Sequence, residues 1–256
     1  MKKILPILIF SFVSISTKAD CFGYGTSFWP NSGQLLNQNS LIFLETDDSS
    51  VLSTIISGQI FLKSGTSHIS VTVIDFCRNG LNLLQIILKP VSQLSSGLEY
   101  SLSYKKAGKM YPFKITNRSS RTKELVKWKT NALIDVEHPL WIQSPVLIGK
   151  KFIPYGCGPE RRVTFSFIAK DNSKILIKAT IVHKQSNKQS HCYIWSADGF
   201  FDLGHTMCYG AYKFENEDDN AADEYQVTFQ VMDESGNYSE PSKSITFIQP
   251  NEKENQ

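Results

Sequence analysis

The chain has no apolar run long enough to cross a bilayer as a helix, which takes roughly 20 such residues. It has no Gly-x-Ser-x-Gly elbow, no phosphate-cradling glycine loop and no His-Glu-x-x-His pair. The common local signatures of hydrolases, nucleotide-binding enzymes and zinc peptidases are therefore missing. No segment shows convincing helical periodicity. Nor is there surplus charge once the N-terminus is set aside. Residues 1–19 hold three of the 27 basic residues and none of the 24 acidic ones, so the rest of the chain carries 24 of each. Lys105-Lys106, Lys150-Lys151 and Arg161-Arg162 are scattered pairs. Nucleic acid and anionic lipid require a clustered basic footprint, and this chain does not supply one.

What is present begins at the first residue. Lys2 and Lys3 open the chain, a short apolar stretch runs from Ile4 to Val13, and small residues lead to Ala19. That order is a secretory signal, with Ala19 the expected last residue removed. Cys21 follows closely, but Lys18 and Asp20 flank Ala19 where a lipid-anchor signal would need small residues. The expectation is an exported protein of the periplasm, the outer envelope or the extracellular space.

Short β-branched and aromatic runs then alternate with turn residues. Ile69, Val71 and Val73 alternate with Ser70 and Thr72, and Tyr100, Leu102 and Tyr104 with Ser101 and Ser103. Val163, Phe165 and Phe167 repeat the pattern, as do Tyr225, Val227, Phe229 and Val231. Period-two alternation marks antiparallel strands with one buried face, and their regular recurrence favours a sandwich. There are too many strands for one small sandwich. The alternation breaks between Asn131 and Val146, a stretch holding Asp135, Glu137, Pro139 and Pro145. The expected layout is a signal over 1–19, a first sandwich over 20–133 and a linker over 134–147. A second sandwich over 148–249 and a disordered tail over 250–256 complete it.

Two groups of motifs carry a family resemblance. Pro30-Asn31-Ser32-Gly33, Asn39 and Leu41-Ile42-Phe43-Leu44 are similar to the entry turn and first strand of bacterial immunoglobulin-like domains. Leu94-Ser95-Ser96-Gly97-Leu98-Glu99-Tyr100 resembles their tyrosine corner, and Trp128-Lys129-Thr130 their closing strand. A Tyr100 hydroxyl at such a corner bonds backbone a few residues upstream while its ring packs inside. Asp233-Glu234-Ser235-Gly236-Asn237-Tyr238-Ser239-Glu240-Pro241 resembles the hairpin of fibronectin type III-like and bacterial immunoglobulin-like repeats. There, Gly236 and Asn237 are expected to supply positive φ. The resemblance implies an all-β chain of two tandem immunoglobulin-like sandwiches. It implies almost nothing about function, since this architecture hosts many activities.

Five cysteines survive signal removal, and export makes them disulfide material first. Cys21–Cys77 is expected within the first sandwich and Cys192–Cys208 within the second, leaving Cys157 as the odd thiol. Cys157–Cys208 is the main competitor. Cys157 sits in Gly156-Cys157-Gly158-Pro159, which suits close approach of a ligand or a turn carrying a disulfide.

The remaining chemistry collects in the second half. His205-x-x-Cys208 lacks the second close pair that zinc sites show. His191 and Cys192, adjacent on a strand, would point to opposite faces. The acids between Glu215 and Glu224 lack the spacing and glycine of a calcium loop and are read as solvated. No metal or cofactor is assigned. Tyr193 and Trp195 share a strand face, and Phe200-Phe201 follow an Asp198-Gly199 turn. These four are the ligand-contact candidates, for a protein or carbohydrate partner; filling the core is their commoner use. The leading expectation is a non-enzymatic protein that binds, adheres or scaffolds. An enzyme centred on Cys157 or on His183, His191 and His205 is the alternative, and a periplasmic chaperone with an open strand edge is a third.

Overall fold

The computed structural model describes residues 25–57, 59–78, 81, 83–116, 122–156 and 158–255. The expected signal peptide, Cys21 and Cys157 lie outside these residues. The first half comprises β1 (Thr26–Trp29), β2 (Leu35–Leu36), β3 (Ile42–Thr46), α1 (Ser49–Ser57) and β4 (Gln59–Ser64). It continues through β5 (Ser67–Cys77), β6 (Leu84–Pro90), β7 (Glu99–Lys106) and β8 (Lys109–Pro112). It ends with β9 (Lys114–Thr116), β10 (Lys123–Leu125) and β11 (Lys127–Thr130). The second half holds β12 (Leu140–Ile153), β13 (Glu160–Lys170), β14 (Ile175–His183) and β15 (Lys188–Trp195), then β16 (Phe200–His205), β17 (Glu224–Asp233) and β18 (Ile245–Ile248).

The chain is all-β and folds as two successive β-sandwiches. In the first, one sheet runs β1-β3-β6-β5-β4-β7-β11-β2 and curls around a core that includes Phe28, Leu44, Ile60, Leu102 and Trp128. In the second, the sheets β12-β13-β16 and β15-β14-β17-β18 enclose Val163, Phe165, Tyr225 and Phe229. No helix among the described residues is long and apolar enough to cross a membrane.

The corner behaves as its residues require. Gly97 takes φ +75°, and the Ser95 N–H donates to the Tyr100 hydroxyl at 3.1 Å while the ring is buried. Tyr100→Phe keeps the ring and removes that acceptor. It should cost about 1 kcal/mol in urea unfolding, the usual net worth of one hydrogen bond. A loss below a few tenths would show the corner to be held by packing alone.

Four expectations differ from the structure. The helix α1 occupies a Ser, Thr, Val and Ile segment of poor helix propensity, because Asp48 caps it and Ile55 anchors it in the core. β12 starts at Leu140, inside the expected linker, so the strand-free connection is 131–139. The expected tail is ordered through Asn255: Asn251 is buried and donates to the Ala221 carbonyl, and Glu252–Asn255 forms a 3-10 turn. At the hairpin, Gly236 takes φ +83°, but Asn237 serves as a donor, to the Asp233 carboxylate and the Asp135 carbonyl.

The disulfide expectations also fail. Cys77 and Cys192 are buried free thiols, so neither Cys21–Cys77 nor Cys192–Cys208 forms. Cys208 is disulfide-bonded, with neither of those two as its partner. The reason lies in β5. A bulge between Val73 and Asp75 interrupts the alternation that sends Val71 into the first core. Beyond it, Cys77 joins the cluster of the second half. Burial, with the charges of Asp75 and Glu45, pushes the Cys77 thiol up to about 12, which keeps it protonated and unreactive.

Candidate functional site

The two sandwiches share a seam. β3 is buried on both faces: Ile42 and Leu44 enter the first core, while Phe43 packs on Tyr193 and Trp195 at 5.6 and 6.0 Å. β15 pairs only with β14, so its other edge would be open. The Gln85 side chain fills it, accepting from the Tyr193 N–H at 2.9 Å and donating to the Tyr193 carbonyl at 2.6 Å. Glu45, fully buried, accepts from Gln85 Nε2 at 3.0 Å, from Trp195 Nε1 at 3.2 Å and from the Tyr209 hydroxyl. Burial holds its carboxyl above the ordinary range, against those three hydrogen bonds. Asp75 receives the Tyr193 hydroxyl at 2.7 Å and meets His191 Nε2 at 3.0 Å, with Lys178 at 3.6 Å.

This seam absorbs part of the expected aromatic platform. Tyr193 and Trp195 do share a face, but it is turned to the first sandwich, and Tyr193 is only 1% exposed. Phe201 is a core residue, stacked on Phe165 at 5.3 Å. Phe200 is 49% exposed. Alternation along β16 separates these neighbours onto opposite faces.

Beside the seam lies an open groove of about 650 Å³, lined by Trp195, Phe200, Arg162, Thr164, Asp202 and Tyr209 among others. Its polar residues face outward from β13 and β16 between buried partners. Asp202 is held on both oxygens, by Arg162 at 3.0 Å and by the Thr164 hydroxyl at 2.6 Å. Arg162 also bonds Glu160. Burial opposes ionisation of Glu160, but hydrogen bonds from Lys151 and Arg162 outweigh it and keep the carboxyl below its usual value. Gly210 completes the floor, since a Cβ there would overlap the Gly204 carbonyl. The groove thus offers an aromatic wall and a rigid charged pair. Arg162, Thr164 and Asp202 were not among the sequence candidates; their outward phase around Val163 and Leu203 was the available signal.

The histidines go to separate partners. His183 lies between Asp223 at 3.0 Å and Ser186 at 2.8 Å, His191 meets Asp75, and His205 Nδ1 donates to the Thr206 carbonyl at 2.9 Å. Burial lowers the His205 pKa. The structure does not bring them into one group. The acidic segment after Glu215 is pinned from beneath by Arg161, whose guanidinium donates to the carbonyls of Asn216, Glu217 and Asp218.

No protein-family model matches the chain, and no curated protein does. Among solved structures it is similar to a pullulanase from Anoxybacillus sp. LM18-11, with 8% identity and a TM-score of 0.25. That match covers 80% of this chain but 24% of the pullulanase, so the chain spans about a quarter of that enzyme's length. It is also similar to the N-terminal Ig1-2 module of the Drosophila receptor protein tyrosine phosphatase DLAR, with 11% identity and a TM-score of 0.25 over 88% and 98% of the two chains. A structure of tandem Ig repeats of Dlar gives 12% identity and a TM-score of 0.23 over 87% and 96%. Similarity at this level says nothing of activity or ligand, and the fold assignment rests on strand topology.

Proposed function

We propose that this chain is an exported, non-enzymatic binding or scaffolding protein whose contact surface is the groove between Trp195, Phe200 and the Arg162–Asp202 pair. One observation carries the reading: a large aromatic side chain is left half exposed beside a fixed charged pair, on rigid strands of the second sandwich. Such a groove suits an extended ligand with a flat apolar face and hydrogen-bonding edges, as carbohydrates and peptides have. The tied seam supports a scaffolding role, because it holds the two sandwiches in one orientation through Glu45, Gln85 and Asp75. Export rests on the signal pattern of residues 1–19.

Oligosaccharide and peptide arrays probed with the chain from Asp20 onward test this reading. For a ligand so found, Phe200→Ala should weaken binding roughly tenfold by calorimetry, as truncating a contact aromatic does. Phe76→Ala, which removes an exposed aromatic from the first sandwich, should leave affinity unchanged. Equal affinity of the Phe200→Ala and wild-type proteins would move the contact surface elsewhere.

A further inference from the structure

Three carboxylates from distant segments meet where the halves join. Asp135 comes from the 131–139 connection, Asp171 from the turn between β13 and β14, and Asp233 from the end of β17. One oxygen from each lies within 4.8 Å of the others. Several of their oxygens are already used. Asp171 Oδ1 accepts from the Ser173 N–H and hydroxyl at 2.7 and 2.8 Å. Asp233 accepts from the N–H groups of Ser235 and Asn237 and from the Asn237 side chain, each at 2.8 Å. Asp135 Oδ1 accepts from the Glu137 N–H at 3.1 Å. Asp135 Oδ2 is different. It is buried, on a side chain whose residue is 6% exposed, and no hydrogen bond reaches it.

A buried carboxylate oxygen without a donor is costly, and two like charges beside it raise the cost. Something positive belongs there. Asp135 is one of the residues lining a cavity of about 540 Å³, and Ser173, Lys174 and Glu234 line it too. We propose that Asp135, Asp171 and Asp233 bind a calcium ion at the junction of the two sandwiches. The donor set is all oxygen, which suits hard cations and disfavours zinc or copper. Ligands about 2.3–2.6 Å from calcium sit up to roughly 5 Å apart across the ion, whereas magnesium demands a tighter octahedron. Water would supply the further ligands. The ion would fasten the 131–139 connection to the second sandwich. The Asp135 backbone already holds it to the first, donating to Asn39 Oδ1 at 3.1 Å and accepting from Asn39 Nδ2 at 2.5 Å.

The test uses the chain from Asp20 onward, stripped with EDTA and titrated with calcium chloride or magnesium chloride. Calorimetry should show one saturable calcium site, a raised melting temperature and slower proteolysis within 131–139. Asp135→Asn and Asp171→Asn should each weaken calcium binding by roughly tenfold or more, since affinity follows ligand charge. In EDTA both variants should melt no lower than wild type, because each relieves like-charge repulsion. If Lys174 rather than an ion neutralises the cluster, calcium will bind nowhere and shift nothing, which overturns the proposal. So would equal effects of magnesium and calcium, or calcium binding undiminished in both variants.

Discussion

Glu45→Ala should be among the most destabilising single substitutions in this chain, lowering unfolding free energy by about 3–5 kcal/mol. The carboxylate serves three donors, two of them from the second sandwich: Trp195 Nε1, the Tyr209 hydroxyl and the buried Gln85 Nε2. Alanine removes this acceptor from all three, and of them Gln85 Nε2 keeps the Tyr193 carbonyl at 2.6 Å. Gln85 would also lose the contact that helps aim it at the open edge of β15. Urea unfolding followed by tryptophan fluorescence and by circular dichroism reads the loss. If the seam alone fails, the two signals should separate into distinct transitions. A change within about 0.5 kcal/mol, the range of ordinary surface substitutions, would show that apolar packing around Phe43 holds the halves without Glu45.

Glu45→Gln separates charge from hydrogen bonding. A glutamine can accept from Gln85 and Trp195 while its amide donates to the Tyr209 hydroxyl. Because burial raises the Glu45 pKa above its unfolded value of 4.5, the folded protein binds that proton more readily than the unfolded chain. The resulting stability is fully present below 4.5 and is lost as pH rises through the folded value. Glu45→Gln should therefore be relatively most favourable at neutral pH, and its advantage over wild type should shrink on acidification.

Arg161→Ala should cost a similar amount, about 3–5 kcal/mol, and should release the segment 215–223. The guanidinium is 1% exposed, sits over the Phe152 ring at 5.3 Å and makes four hydrogen bonds. Three go to the carbonyls of Asn216, Glu217 and Asp218 at 2.8–3.0 Å, and the fourth to Asp219 at 3.1 Å. Without it the Glu217 carbonyl loses its donor beside a cavity, and those of Asn216 and Asp218 keep only the Gln249 side chain and the Ala221 N–H. The native state already carries one cost, since Arg161 Nε is buried without a partner. Arg161→Lys should recover little, because a single ammonium cannot reproduce the planar fork. Hydrogen exchange should rise across 215–223 in both variants and stay unchanged in β14. Wild-type exchange in that segment would assign its order to the Lys213–Glu217 and His183–Glu215 contacts instead.

Strand class and the corner motif were legible because they are local. The side chains of Val163, Phe165 and Phe167, like those of Tyr225 to Val231, are buried in alternation as period two requires. Gly97 and Tyr100 act within five residues of each other. α1 was not legible, since its own residues prefer strands and one cap with one buried isoleucine outweighed them. The aromatic platform was half legible: the shared face of Tyr193 and Trp195 follows from strand geometry, but what that face meets does not.

The residues by themselves thus determined an all-β chain and the corner that closes the first sandwich. The tertiary structure alone decided the seam, the free state of Cys77 and Cys192, the open groove and the meeting of Asp135, Asp171 and Asp233. One hint of the seam stands in the sequence: Leu41-Ile42-Phe43-Leu44 and Leu83-Leu84-Gln85-Ile86-Ile87-Leu88 do not alternate, as befits strands covered on both faces. What lies over the second face, and which single polar residue it will satisfy, depends on contacts more than 100 residues away in the chain. Period and turn chemistry report the surroundings of a residue within its own strand. They do not report which distant strand arrives, and a bulge that shifts the phase by one residue redirects every side chain beyond it.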